Sequence, residues 1–275
     1  MKNNLKAFIL LLCLPWLAHA ANDEQAWNTS LKAQYFAGKN ILDNSDMISL
    51  ETPYRAEDPA LVPISIKSKI SQTPDRYIKK ITLFVDNNPY PFVAEFDLTP
   101  ESGKADLSMR VRVNTYSYVR AIAELNNGEL VMAKQFVKAS GGCSAPIGAD
   151  LDAAMQRLGK MKFRLDDGVK KGDPSLAQLL ISHPNITGMQ MDQVTRFIKK
   201  SHFVEKLKVT FNNKPVLTAK TDIAISADPN FRFYFVPKEN GVLKAEITDT
   251  SCESPTSRNV CTPGKSYAQD YEVKL

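Results

Sequence analysis

The feature that most constrains the fold is an alternation of apolar and polar residues in short runs that end at turn signals. Residues 80–85 alternate in this way before the turn "DNNP", and residues 206–211 do so before the similar turn "NNKP". Short alternating runs without long helices between them predict antiparallel β-sandwiches. We interpret the aromatic run at residues 231–235 as core packing rather than a ligand site. Further alternating runs lie at residues 92–98, 109–113, 119–125, 129–138, 243–247 and 271–275.

These runs fall into two sets, which predicts two domains of comparable size. Trp27, Leu31 and Tyr35 recur at four-residue spacing and predict a short N-terminal helix packed on the first domain. The expected fold class is therefore all-β. It consists of two immunoglobulin-like antiparallel β-sandwich domains in tandem, at residues 21–138 and 161–275.

The first twenty residues have the order of a secretory signal peptide. Lys2 and Lys6 precede an apolar run at residues 7–17, and small residues then lead to a predicted cleavage site after Ala20. Cys13 is an alternative lipoprotein cysteine, but a leucine precedes it where that signal needs a small residue. No other run approaches the length of a membrane span. We therefore expect an exported protein in the periplasm, without membrane insertion.

The charge balance argues against nucleic acid as a partner. The chain has 275 residues and a net charge of +5, and loss of the two lysines in the leader would lower that charge further. So mild an excess does not predict binding to a polyanion.

Export makes the cysteine count informative. Removal of the leader leaves Cys143, Cys252 and Cys261, an odd number in an oxidising compartment. Cys252 and Cys261 bracket a short polar loop and are the predicted disulfide, so Cys143 is the remaining thiol. The alternative, a zinc site, is disfavoured because His183 and His202 are the histidines left and neither lies near a cysteine in the sequence. We expect no metal.

The stretch "KASGGCSAPIGAD", residues 138–150, interrupts the strand pattern around Cys143. Gly141 and Gly142 release the backbone from side-chain restraint and end regular structure. Pro146 cannot donate to a strand ladder and prevents the strand from resuming. Cys143 is therefore expected on a mobile tether between two folded bodies.

A short linker helix is predicted after the tether, which places the whole linker at residues 139–160. Asp150 is a suitable N-cap, and the helix is expected to end near Gly159. Its apolar face would consist of Leu151, Ala154, Met155 and Leu158.

A tethered thiol suits some chemistries better than others. A cysteine enzyme needs a base and an orienting group on a rigid scaffold, which a Gly-Gly tether does not provide. A tether gives reach, which suits a carrier that holds an intermediate on sulfur and offers it to separate enzymes. Thiolates attack electrophilic sulfur by exchange, so oxidised sulfur species are a natural cargo.

The chain resembles a known family, the sulfur-oxidation carrier complex SoxYZ, with both subunits fused in order. The first half is similar to SoxY across "ISLETPYRAEDPALVPISIKSK", "IKKITLFVDNNPYPFVAEFDLTP" and "MRVRVNTYSYVRAIAELNNGELVMAKQFVKASGGC". The second half resembles SoxZ across "MKFRLDDGVKKGD", "LLISHPNITGM" and "FNNKPVLTAKTDIAISADPNFRFYFVPKENGVLKAEITD". Within this family the chain looks like the quinoprotein dehydrogenase-associated SoxYZ-like carriers.

The resemblance implies a role for the thiol. SoxY-like domains carry thiosulfate-derived sulfur on the cysteine of a C-terminal Gly-Gly-Cys-Gly-Gly tail, and Gly141, Gly142 and Cys143 match that motif. Ser144 and Ala145 replace the trailing glycines, and the motif is internal here, anchored on both sides. The implied partners are periplasmic oxidoreductases or cytochromes of a sulfur-oxidation system, and a quinoprotein dehydrogenase. No cofactor is implied.

Two further features are interpreted as structural. His183 in "LISHPN" could contact a partner or act as a base near the thiol, but a hydrogen-bonded structural histidine is favoured. The basic run "RFIKKSHFVEKLK", residues 196–208, could dock an acidic partner, but a solvated face is the commoner role of such a run.

Three hypotheses follow. The first is a non-enzymatic covalent carrier that uses Cys143, with Gly141, Gly142 and Ser144 as its flexible arm. The second is a non-catalytic periplasmic two-sandwich adaptor or chaperone associated with a quinoprotein dehydrogenase, in which the thiol is incidental. The third is a thiol enzyme, which requires a lowered thiol pKa and a neighbouring base. The sequence favours the carrier.

Overall fold

The fold was analysed in a computed structural model that describes residues 24–43, 46–147, 151–166, 168–193, 195–252 and 261–275. The predicted signal peptide, its cleavage site after Ala20, the alternative lipid site Cys13 and the predicted N-cap Asp150 lie outside these residues. Within them, no helix is long and apolar enough to cross a membrane.

Short strands dominate the described chain, as the alternation predicts. The helical elements are a π-helical turn Trp27–Leu31 that continues into α1 (Lys32–Phe36), a 3-10 turn Pro100–Ser102, and α2 (Leu151–Gln156). The strands are β1 (Ile41–Asp43), β2 (Ile48–Glu51), β3 (Val62–Ser68), β4 (Ile78–Val85), β5 (Phe92–Leu98), β6 (Leu107–Val111), β7 (Ser117–Leu125), β8 (Leu130–Val137), β9 (Met161–Leu165), β10 (Ser175–Ile181), β11 (Ser201–Phe211), β12 (Lys214–Thr221), β13 (Asn230–Phe235), β14 (Gly241–Cys252) and β15 (Cys261–Val273).

The strands form two sheets that face each other across one core. The nine-stranded sheet has the order β1-β8-β7-β4-β5-β12-β11-β14-β15, and the six-stranded sheet has the order β2-β3-β6-β13-β10-β9. Neighbouring named strands are antiparallel except β1 and β8, which are parallel. The predicted all-β class, with sandwiches built of antiparallel strands, is confirmed.

The two halves of the chain join edge to edge in both layers. In the larger sheet β5 of the first half pairs with β12 of the second, with a register that runs from Leu98–Leu217 to Ala94–Thr221. In the smaller sheet β6 pairs with β13 at Ser108 and Arg232. One contiguous hydrophobic cluster, which includes Phe96 and Phe231, extends across both halves. The sandwiches are therefore fused side by side into one continuous two-layer body.

Burial follows the alternation, with one informative departure in β4. Its core-facing residues are fully buried, but so is Phe84 on the opposite face. The N-terminal helical segment covers that face, where the Phe84 ring lies 6.0 Å from Trp27 and 4.8 Å from Tyr35. The predicted N-terminal helix is confirmed. Because it covers the outer face of β4, that face also carries a buried apolar residue, Phe84. Phe231, Phe233 and Phe235 are buried, so the core interpretation of that stripe is also confirmed.

The predicted linker helix is present as α2, but it packs loosely. None of its residues is fully buried, and Met155 is 41% exposed. The chain turns after it at Gly159, which has a φ of +76° and stands where a Cβ atom would overlap the Tyr267 ring. Glycine is needed at that turn for both reasons.

Candidate functional site

The segment at residues 141–145 is packed against the body of the protein. Gly141 N–H donates to Asn114 O at 2.8 Å, and Gly142 N–H donates to Val113 O at 3.1 Å. A Cβ atom at Gly142 would lie 2.1 Å from Pro59 O, which is far inside contact distance. The glycine at position 142 therefore permits close approach of two backbones, a second use of glycine besides mobility.

The second half of the chain holds the same segment from the other side. Thr187 Oγ1 donates to Cys143 O at 2.7 Å, and Gln190 Nε2 donates to Ala145 O at 2.8 Å. Cys143 N–H donates to Asn114 Oδ1 at 3.3 Å. We call the contacts from Thr187 and Gln190 the latch, because they fix the cysteine to the second half of the protein.

The sulfur-bearing residue is buried, and this corrects the expected display on a mobile tether. Cys143 is 1% exposed, although Ser144 and Pro146 beside it are exposed. Burial raises the pKa of the Cys143 thiol to about 11, and the neighbouring Arg112 only partly offsets this effect. The thiol is therefore neutral and screened in this conformation. The sequence suggested a mobile segment because glycines end the strand. In the structure, the close backbone approach at the glycines and the latch instead hold residues 141–145 in place, the seated position, at the junction between the two halves.

The Arg112 side chain contacts the cysteine segment at the junction between the two halves. Its side chain donates to Gly142 O at 3.1 Å and to Asn185 O at 3.4 Å, so it bridges the first and second halves. Its backbone is fixed as well, because Arg112 N–H donates to Ala224 O at 2.7 Å. Burial lowers the pKa of the Arg112 guanidinium. Sequence reasoning missed this residue, since it occupies an ordinary polar position of an alternating run.

His183 is a buried structural residue, in line with the favoured interpretation. Asn185 N–H donates to His183 Nδ1 at 3.0 Å, which places the ring proton on Nε2. His183 Nε2 lies 3.5 Å from Asp249 Oδ2, and His202 Nε2 lies 3.0 Å from the same oxygen. Burial lowers the pKa of His183. Burial alone would raise the pKa of Asp249, but the neighbouring imidazoles of His183 and His202 hold it well below its usual range.

This cluster brings together the two histidines that the sequence left apart. Its three side chains, His183, His202 and Asp249, could in principle hold a metal, since their ligand atoms lie within 4.8 Å of one another. Ligation through His183 Nε2 would require a proton on Nδ1, yet that atom accepts a hydrogen bond. The geometry therefore favours a carboxylate that is hydrogen-bonded to His202 and has the His183 Nε2–H beside it. In the described part of the chain, no hydrogen bond joins a histidine to the Cys143 sulfur.

The predicted disulfide between Cys252 and Cys261 is confirmed. It joins the end of β14 to the start of β15, and Cys252 packs against Phe203 and Ile223. Among the described residues, Cys143 is the free cysteine.

The basic run at residues 196–208 divides into two parts. From Ser201 onward it belongs to β11, where Phe203, Val204 and Leu207 are buried. Before that point it is a surface segment on which the Phe197 side chain is 76% exposed. The solvated-face interpretation therefore holds for the lysines of the strand as well, since Lys206 and Lys208 are exposed, and the apolar residues of the strand belong to the core.

No curated protein matches the chain. Among solved structures, the chain is similar to the sulfur carrier protein SoxY from Chlorobium limicola f thiosulfatophilum, with 24% identity, a TM-score of 0.35, and coverage of 44% of this chain and 96% of that chain. It is also similar to a superoxide reductase (neelaredoxin) from Ignicoccus hospitalis, with 14% identity, a TM-score of 0.31, and coverage of 34% of this chain and 79% of that chain.

Two family matches lie in tandem on the chain. Residues 32–143 match the family described as sulfur oxidation protein SoxY, and residues 162–259 match the family described as sulphur oxidation protein SoxZ. The matches follow each other in order and together span most of the sequence. The protein therefore belongs to the SoxYZ sulfur-oxidation carriers, with the SoxY and SoxZ domains fused in a single polypeptide.

Proposed function

We propose that the protein is a periplasmic covalent carrier that holds sulfur intermediates on Cys143 and presents them to partner enzymes. The observation that carries this proposal is that the SoxY match, residues 32–143, ends at Cys143 itself. Among the described residues, Cys143 is also the cysteine that the disulfide leaves free. The proposed partners are periplasmic oxidoreductases or cytochromes of a sulfur-oxidation system, and a quinoprotein dehydrogenase.

Burial of Cys143 requires that the carrier alternate between two positions of residues 141–145. In the seated position the thiol is neutral and screened, since its pKa is about 11. Thiolates are the reactive form, so loading requires that the segment leave its seat. The exposed neighbours Ser144 and Pro146 mean that a short movement brings the sulfur to the surface. The seated position protects the thiol between reactions.

The experiment that tests the carrier function is exchange with tetrathionate, followed by intact mass and peptide mapping. We expect one adduct of thiosulfonate mass on Cys143, removed by reductant, while the bridge between Cys252 and Cys261 stays intact. Cys143→Ser is the matched control and should gain no adduct. A native protein that gains none on prolonged exposure, or a Cys143→Ser variant that gains the same adduct, contradicts the proposal.

A second candidate function is a two-sandwich adaptor or chaperone associated with a quinoprotein dehydrogenase. The burial of Cys143 favours it, because a buried thiol can be an incidental core residue. The exposed Phe197 and Ile198 offer an apolar contact surface that does not involve the thiol. A Cys143→Ser variant that supports the same cellular phenotype as the wild type would select this function over the carrier.

A further inference from the structure

Among the described residues two arginines are buried, and their surroundings differ. Arg120 is fully buried and its charge is matched, since Nε lies 2.7 Å from Asp86 Oδ2 and a terminal nitrogen lies 3.0 Å from Glu24 Oε2. Arg112 is 3% exposed, and in the described chain it forms no ion pair. Buried charges are costly unless they are paired, so an unmatched buried arginine calls for an explanation.

The hydrogen bonds of Arg112 leave donor capacity unused. Its terminal nitrogens donate to the carbonyl oxygens of Gly142 and Asn185, and both acceptors are neutral. Its Nε has no hydrogen-bond partner among the described residues. A guanidinium has five donors in a fork that matches the oxygens of an anion. Arg112 therefore has both an unmatched charge and a free donor.

The position of Arg112 connects these properties to the thiol. One acceptor is the carbonyl of the residue directly before Cys143, and the guanidinium interacts electrostatically with the Cys143 sulfur. Two carboxylates also act on this pair: Asp58, which is exposed, acts on Arg112, and Asp222 acts on Cys143. Asp222 already accepts a hydrogen bond from the backbone of Ile223. The anion that Arg112 lacks can thus be supplied by a group attached to Cys143.

We propose that Arg112 determines the charge of the cargo, by binding the anionic end of the sulfur group that Cys143 carries. This inference rests on the proposed function of Cys143 as the carrier thiol. The chemical class it selects is a sulfur electrophile that bears a sulfonate or a similar anionic group, over a neutral disulfide of the same reactivity. A guanidinium binds such a group with charge-assisted hydrogen bonds, which are the stronger kind.

The loading step can be written with tetrathionate as the electrophile. The Cys143 thiol loses its proton to solvent, and the thiolate attacks one of the two central sulfurs of tetrathionate. A sulfur–sulfur bond forms to Cys143, the central sulfur–sulfur bond of tetrathionate breaks, and thiosulfate leaves with the electron pair. The product is a thiosulfonate on Cys143, whose terminal sulfonate is the group that Arg112 binds. No external oxidant is needed, since one sulfur–sulfur bond replaces another.

The test compares two alkylating reagents of the same chemistry, the anion iodoacetate and the neutral iodoacetamide. For each state of the protein, the iodoacetate rate at Cys143 is divided by the iodoacetamide rate. The charge preference is this quotient for the native protein divided by the same quotient for the chain unfolded in urea. We expect a wild-type preference well above one, because Arg112 is fixed to the body through its backbone bond to Ala224 O and stays beside the sulfur when a short movement of the segment exposes it. Arg112→Met should lower the preference by about tenfold or more. An opposite charge at close range stabilises an anion by the equivalent of about one to three pKa units, and only iodoacetate carries such an anion. The effect of Arg112 on the thiol pKa acts on both reagents and cancels in the quotient. Arg112→Lys should keep part of the preference.

Arg110→Gln is the matched control, because this substitution removes the same formal charge two residues earlier in the chain. Arg110 Nε also lacks a hydrogen-bond partner among the described residues, but its side chain donates to Asp228 O and not to the cysteine segment, so the preference should stay at the wild-type value. An equal loss in Arg110→Gln and Arg112→Met would show a general field effect and overturn the proposal. A wild-type preference at or below one overturns it without any variant, so a folding failure of Arg112→Met leaves the test decisive.

The outcomes separate this inference from the function on which it rests. A Cys143 that reacts with both reagents without charge preference overturns the role of Arg112 alone. A Cys143 that resists both reagents and tetrathionate overturns the carrier function, and the role of Arg112 with it.

Discussion

Replacing Thr187 with valine removes the hydroxyl of the latch and should speed the labelling of Cys143. Thr187 is fully buried and its bond to Cys143 O is 2.7 Å long, so the change leaves that carbonyl without a partner when the segment is seated. An unsatisfied buried acceptor costs about 1 to 3 kcal/mol. Since about 1.4 kcal/mol is a factor of ten, the unseated population should rise roughly fivefold to a hundredfold.

The assay is the rate of thiol labelling by a small disulfide reagent under native conditions. When unseating is rapid relative to labelling, the rate is proportional to the unseated population, so the rate should rise by the same factor. Local unseating exposes little surface, so the rate should depend only weakly on urea, unlike global unfolding. Adding Gln190→Ala should increase the rate further, because the bond to Ala145 O is also lost.

Thr195→Val is the matched control, since Thr195 is exposed and lies in the same irregular stretch of the chain as the buried Thr187 and Gln190. It should label at the wild-type rate. Equal rates for Thr187→Val, Thr195→Val and wild type, with unchanged melting temperatures, would refute the claim that the second half holds the cysteine segment in place.

Three further predictions follow from the same geometry. The labelling rate of native Cys143 should keep rising about tenfold per pH unit from pH 9 toward pH 11. Burial raises the pKa of the seated thiol, so deprotonation at high pH favours the unseated form. A plateau of the labelling rate near pH 9, as expected for the unfolded chain, would contradict burial of the thiol. Gly142→Ala should unseat the segment and speed labelling, since its Cβ would overlap backbone carbonyl oxygens, whereas labelling at the wild-type rate would mean that the close approach does not exist. Phe84→Ala should lower the free energy of unfolding by about 3 to 5 kcal/mol in urea titrations, because it removes a fully buried ring that contacts the N-terminal helix; a loss below about 1 kcal/mol would show that this helix does not pack there.

The strands were predictable because their signal is local. A strand with one face in the core alternates at a period of two, and the runs around Ile81, Val209 and Phe233 show that period wherever a sheet forms. The pairing of β5 with β12 was not predictable in this way. It joins segments more than a hundred residues apart, and alternation records which face of a strand is buried without recording which strand lies beside it.

The site was predicted in part. Cys143 was singled out because removal of the expected leader leaves an odd number of cysteines, so that one thiol remains beside the predicted disulfide. Its burial was missed because a Gly-Gly pair is compatible with mobility and with close backbone approach, and only the position of Pro59 distinguishes the two. Thr187 and Gln190 lie in an irregular segment without periodicity, so no local pattern marked them as partners of the cysteine.

The carrier role of Cys143 is tested by the intact mass of the protein isolated from the cells that produce it, before and after reductant. We expect a fraction with a reducible sulfur-containing adduct, mapped to Cys143, next to an unmodified fraction and an intact bridge between Cys252 and Cys261. A protein whose Cys143 is unmodified in every preparation, including cells supplied with oxidisable sulfur compounds, would contradict the carrier role.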